Sequence, residues 1–96
     1  VPDYVDRPSW YMYSITIDQL KRNDLIAHLN DKKIETRLSF PPIHIQPYYK
    51  NKLKFLENDY PNSYDAYNTF LDIPIWAGMT EEIKNDVCDT ILSYLK

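Results

Sequence analysis

Along the first third of the chain, apolar and polar positions alternate and then switch to a helical spacing. Tyr11, Tyr13, Ile15 and Ile17 share one side of an alternating run, with Trp10, Met12, Ser14 and Thr16 on the other, which predicts a strand over Trp10–Ile17. Asp18 and Gln19 interrupt it. Leu25, Ile26 and Leu29 then recur at helical spacing within about Lys21–Lys32. Ile34, Thr36 and Leu38 alternate again, predicting a second strand over Ile34–Leu38. Because one residue along a strand reverses the face, Glu35 and Arg37 point away from the side that Ile34 buries. Trp10 and Met12 in the first strand suggest that this second face is partly covered rather than merely wetted.

Three prolines then stiffen the chain. The run from Ile34 to Tyr49 reads I-E-T-R-L-S-F-P-P-I-H-I-Q-P-Y-Y, and Pro41, Pro42 and Pro47 fix φ and bias their predecessors toward extended conformations. It predicts a strand followed by a rigid, non-helical loop presenting Arg37, His44, Gln46, Tyr48 and Tyr49. Loops held on a scaffold are where binding groups concentrate. Asn62–Phe70 follows as a short helix behind Pro61, and Leu71, Ile73 and Ile75 as a third strand that Pro74 confines to an edge or end. Thr80 is a good N-cap for a last helix running to about Tyr94, with Glu81 and Glu82 favourably placed at its N-terminus. Ile83, Val87, Ile91 and Leu95 form its apolar stripe. The order β-α-β-loop-α-β-α predicts an α+β domain: a small, mainly antiparallel or mixed three-stranded sheet with helices on one face. Residues 1–9, with Pro2 and Pro8, read as a linker, and residues 10–96 as the domain.

Composition narrows the function. A net charge of −3 over 96 residues argues against a nucleic-acid partner, and the cluster Lys50, Lys52 and Lys54 reads as a solvated loop or helix face. No apolar run approaches the ~20 residues of a membrane span. The single cysteine, Cys88, permits neither an internal disulfide nor a zinc pattern, so a reducing cytoplasm is the expected setting. Val1 stands where an initiator methionine would, which suggests a chain trimmed from a longer one.

Catalytic constellations are missing. His28 and His44 have no acid or thiol at ligand spacing, and one glycine cannot build a phosphate-cradling loop. Asp72 reads as a turn acid, and Cys88 as a packed small residue beside the last helix's stripe. By itself the chain carries no reaction.

Three segments in register resemble a known family. The run R-N-D-L-I-A-H-L-N-D-K-K-I-E-T-R (Arg22–Arg37), then P-P-I-H-I-Q-P-Y-Y (Pro41–Tyr49), then L-D-I-P-I-W-A-G-M-T (Leu71–Thr80) with the helix Ile83–Ile91 behind it, is similar to the DegT/DnrJ/EryC1/StrS sugar-nucleotide aminotransferases. The resemblance, from about Tyr11 to Leu95, implies the C-terminal small domain of the aspartate-aminotransferase-like architecture (fold type I). It implies a full-length enzyme that uses pyridoxal phosphate to move an amino group from glutamate to a nucleotide-linked keto sugar. Such products enter polysaccharide, lipopolysaccharide or glycoside biosynthesis. It also implies a homodimer, and a Schiff-base lysine and cofactor held by the large domain, leaving this piece inactive alone. The E-T-R form of the second strand is most similar to perosamine-synthase-type members. Lys33 departs from the family, which usually has glycine there at a helix end that favours a left-handed residue.

By that resemblance Arg37, His44, Gln46 and Tyr48 are substrate-binding candidates. Arg37 can hold a carboxylate or phosphate bidentately; its other reading is a surface ion pair with Glu35 or another acid. His44 can donate to a sugar hydroxyl or phosphate, or simply bond its own loop. Gln46 and Tyr48 reach substrate or hold the proline loop against a neighbouring domain. Outside the family, the alternative is a stand-alone, non-catalytic α+β interaction or small-ligand module.

Overall fold

A computed structural model describes residues 1–96. Strand β1 (Tyr13–Thr16) leads through Asp18 into helix α1 (Gln19–Asp31). A long connection follows, with a 3₁₀ turn at Ile43–Ile45, helix α2 (Pro47–Leu53) and a second 3₁₀ turn at Glu57–Asp59. Helix α3 (Pro61–Thr69) runs straight into strand β2 (Phe70–Ile73), and helix α4 (Glu81–Leu95) closes the chain.

Local chemistry explains the boundaries. The Asp18 side chain accepts from the Leu20 amide at 2.9 Å and starts α1, while Thr80 accepts from the Ile83 amide at 3.2 Å and starts α4. Pro61 occupies the first turn of α3, where its missing N–H costs nothing. Helix α1 ends in a left-handed residue, Lys33 at φ 61°, the conformation foreseen for that position. The Lys33 amide donates to Asn30 O and the Ile34 amide to Leu29 O, both at 2.9 Å, closing the helix end in a Schellman motif.

The sheet is smaller than the sequence suggests. β1 and β2 pair antiparallel in the register Tyr13↔Ile73, Ser14↔Asp72, Ile15↔Leu71 and Thr16↔Phe70. The expected strand over Ile34–Leu38 contracts to one bridge, Arg37↔Asp72, in which the Arg37 amide donates to Asp72 O at 3.0 Å and the Asp72 amide to Arg37 O at 2.9 Å. In an antiparallel ladder the next hydrogen-bonded pair on one side of this bridge would join Glu35 to Pro74, and proline has no N–H to give. Pro74 also ends β2, so the last strand stops at Ile73 rather than reaching Ile75. The sheet therefore has two strands and a bridged third segment, not three strands.

A second correction concerns the proline loop. It is not wholly non-helical, because Pro47 opens α2 at the first helical position. That helix buries no residue, so it left no apolar period to read.

The core lies on one side of the sheet. Ile17, Leu25, Leu29, Ile34, Leu71, Val87 and Ile91 are its buried members, with Ile15 and Ile73 packed against them. Leu25, Leu29 and Leu71 are fully buried. α1 packs on α4, with the His28 and Tyr94 rings 4.9 Å apart, and also on α3. The stripe of α4 is buried only at Val87 and Ile91, whereas Ile83 and Leu95 at its ends are exposed. Only 10 of 96 residues are buried, and the radius of gyration is 16.1 Å. A compact domain of this length has a radius of about 13 Å. On the other side of the sheet Met12 and Phe70 are exposed, as is Trp10 ahead of β1, and the 39–60 connection and α3 flank a groove there.

Candidate functional site

The face opposite the core is where chemistry can reach solvent. Residues directly opposed in an antiparallel pair project from the same face. Alternation along β1 and β2 gives Ile15 and Leu71 to the core, so Ser14, Asp72 and Arg37 stand together on the opposite face. An open cleft of about 540 Å³ lies beside them at the edge of the sheet, between the 32–37 segment, the end of β2 and α4, lined among others by Arg37, Asp72, Ile34, Ile73, Ile83 and Val87. Arg37 is exposed and makes no ion pair, with Glu35 or with any other acid. Asp72 is only 6% exposed, and its carboxylate accepts from the Ser14 hydroxyl.

A second, more apolar groove of about 680 Å³ lies between the sheet, the 39–60 connection and α3, lined among others by His44, Phe40, Phe55, Tyr60, Tyr67 and Phe70, with Ser14 also at its wall. Met12 borders both clefts. The four candidate residues are therefore divided. Arg37 faces the first cleft and His44 the second, while Gln46 and Tyr48 line neither.

Hydrogen bonding shows how the proline loop holds itself. His44 is buried; its Nε2 lies 3.0 Å from Glu57 O, and its ring sits 5.0 Å from that of Tyr60. Gln46 Nε2 donates to Pro41 O at 3.0 Å. The exposed Tyr48 accepts from Lys52 Nζ at 3.1 Å, one helical turn on, and meets Tyr49 edge-on at 5.1 Å. The loop thus uses its polar side chains to close on itself, and the guanidinium of Arg37 is left free.

Two polar residues of the fold were not anticipated as such. Asp72, expected in a turn, is a buried strand residue at the centre of the sheet. Its signal was present: the alternation Leu71-Asp72-Ile73 sends Asp72 to the face of Arg37. Arg22 is 7% exposed; its Nη1 donates to Tyr67 O at 2.5 Å in the last turn of α3, and its Nε has no partner. A cation there suits the negative end of a helix. Its spacing with Leu25 and Leu29 puts it on the buried stripe of α1.

Comparison with known proteins agrees with this architecture. The chain belongs to the DegT/DnrJ/EryC1/StrS aminotransferase family, whose model matches residues 1–92. It is 30% identical over 95 residues to the spore coat polysaccharide biosynthesis protein SpsC of Bacillus subtilis (strain 168), an alignment covering 94% of this chain and 24% of that protein. It is 28% identical over 89 residues to the GDP-perosamine synthase of Vibrio cholerae, covering 90% and 24%. Among solved structures, the candidate sugar aminotransferase Spr1654 of Streptococcus pneumoniae in its apo form superposes with a TM-score of 0.76 at 21% identity, over 85% of this chain and 21% of that one. At that identity the likeness establishes the fold. The chain spans about a quarter of the length of the curated relatives it matches.

Proposed function

We propose that residues 10–96 are the C-terminal small domain of an aminotransferase, with residues 1–9 a lead-in. The whole protein would transfer an amino group from glutamate to a nucleotide-linked keto sugar for polysaccharide, lipopolysaccharide or glycoside assembly. The observation that carries this reading is the exposed, unpaired Arg37 side chain lining the 540 Å³ cleft. A planar cation with five N–H donors is suited to holding a carboxylate or a phosphate edge-on. The family membership and the sugar-aminotransferase relatives support the substrate class.

Within this domain Arg37 is the proposed substrate contact, orienting the anionic part of a donor or acceptor. For His44, Gln46 and Tyr48 the observed bonds favour shaping the loop that flanks the cleft. Pyridoxal phosphate, the family's cofactor, supplies an electron sink for amino transfer when bound. The residues of this chain do not fit it: all eight lysines are exposed, so none offers the desolvated amine that imine formation needs. Its attachment belongs to the remaining length of the protein, in which a homodimer is also expected. No helix is long and apolar enough to cross a membrane; a cytoplasmic setting is part of the proposal and accords with the free thiol of Cys88. The shape of the chain, elongated with 10 of 96 residues buried, weighs against a stand-alone module.

The test uses the intact protein with pyridoxal phosphate, glutamate and a panel of nucleotide keto sugars. The cofactor spectrum is expected to cycle with one donor–acceptor pair, and a spectrum unmoved by every pair overturns the reading. Arg37→Ala is expected to raise KM about 10- to 100-fold with the fold intact, since charge-assisted bonds contribute ~1.5–3 kcal/mol. Unaltered kinetics in that variant would remove Arg37 from the site.

A further inference from the structure

Three side chains form one row across the sheet face opposite the core: Ser14 on β1, Asp72 on β2 and Arg37 at the bridge. Directly opposed residues have Cβ atoms about 4.5–5.5 Å apart, and opposite charges so placed ordinarily pair. Here they do not. The Asp72 carboxylate instead accepts from Ser14 on its other side, and Arg37 makes no ion pair although it shares a cleft with Asp72. A buried carboxylate demands a donor. Ser14 meets that demand from the strand remote from Arg37.

We propose that Ser14 is a positioning residue: by occupying the Asp72 carboxylate it keeps the Arg37 guanidinium free to take a bidentate anion, a carboxylate or a phosphate, in the cleft. The proposal rests on the reading of Arg37 as the holder of the substrate's anion. Remove the Ser14 hydroxyl and the carboxylate turns to the nearest remaining donors, the N–H groups of Arg37. Each captured guanidinium is lost to the ligand, so the apparent Kd rises by the reciprocal of the free fraction. A pair as weak as most partly exposed ones still gives a loss of about three- to sixfold. The effect falls on anion capture, raising KM, and leaves kcat alone.

The test measures binding of inorganic pyrophosphate and, separately, of glutamate to the intact protein by calorimetry, with Arg37→Ala as reference. For whichever anion binds through Arg37, Ser14→Ala is expected to weaken binding about three- to sixfold. Ser14→Thr, which keeps the hydroxyl, should bind as the wild type does. Ser14→Ala combined with Asp72→Asn should recover the loss, because the competing charge has gone. Wild-type affinity in Ser14→Ala, a double variant as weak as the single one, or no Arg37-dependent binding of either anion overturns the proposal. Binding is read without turnover. A protein with the expected pattern that never transfers an amino group keeps the Ser14 assignment and loses the aminotransfer reading.

Discussion

Replacing Lys33 with glycine is expected to stabilise the protein, although the substitution removes a side chain. Lys33 holds φ 61°, where an L-residue brings Cβ against its own carbonyl. The structure imposes that conformation because two bonds depend on it. The Lys33 amide reaches Asn30 O and the Ile34 amide reaches Leu29 O, each at 2.9 Å. The same turn delivers Ile34 into the core beside Leu29, the apolar contact that accompanies this kind of helix end. A left-handed L-residue costs ~1–2 kcal/mol, which glycine avoids. Glycine also loosens the unfolded chain, an opposing effect of ~0.4–1 kcal/mol. The first exceeds the second, leaving a net gain of ~0.5–1 kcal/mol.

Urea denaturation with an unchanged slope is the appropriate assay, since the substitution alters no buried surface and only the midpoint should rise. In a domain of this size the gain corresponds to a Tm increase of roughly 2–8 °C, and less in a larger protein. Lys33→Val is the counterpart, because a β-branched residue is a severe outlier at this φ; it should lower the midpoint. If Lys33→Gly lowers the midpoint, or if the valine variant matches the wild type, the left-handed turn is not what couples α1 to the core.

Other substitutions probe the remaining parts. Leu71→Ala empties a fully buried position between the sheet and the helices and should cost ~2–5 kcal/mol in the same urea titration. Thr80→Ala removes the side-chain acceptor for the Ile83 amide and should cost ~0.5–2 kcal/mol, while Thr80→Ser restores most of it. His44→Ala leaves Glu57 O without its imidazole partner and removes a ring packed on Tyr60, for ~1–3 kcal/mol. Amide exchange should accelerate across residues 41–60 in that variant and stay unchanged in α4; uniform acceleration would show that the loop is not an independent unit.

Much of the fold was legible because it obeys local rules. Both long helices, the Thr80 cap and most of β2 follow from spacing and residue type, and the left-handed residue at Lys33 follows from the glycine usual there in the family; Asp18 stood out only as a break in the alternation, although it caps α1. What escaped reading depends on partners distant in sequence. Ile34–Leu38 has the alternation of a strand, but whether it forms a ladder depends on the residues opposite, and Pro74 withholds a donor where Glu35 would pair. Helix α2 lacks a buried face, so nothing in its hydrophobic pattern distinguishes it from a loop; only Pro47 at its start was a cue.

The site divides in the same way. That Arg37 projects from the face opposite Ile34 follows from a parity argument and needs no tertiary information. That His44, Gln46 and Tyr48 turn inward on their loop needs the positions of Glu57, Pro41 and Lys52, which no periodicity encodes. Asp72 lies between these cases. Parity alone puts it beside Arg37, and an opposite charge beside a candidate anion-binder should have disqualified Arg37 by pairing with it. Register removes the objection: Ser14 lies opposite the same aspartate and donates to its carboxylate. An arginine next to an acid remains available to a ligand only when that acid is held elsewhere, and on this sheet face the residue that can hold it is a serine from the far strand.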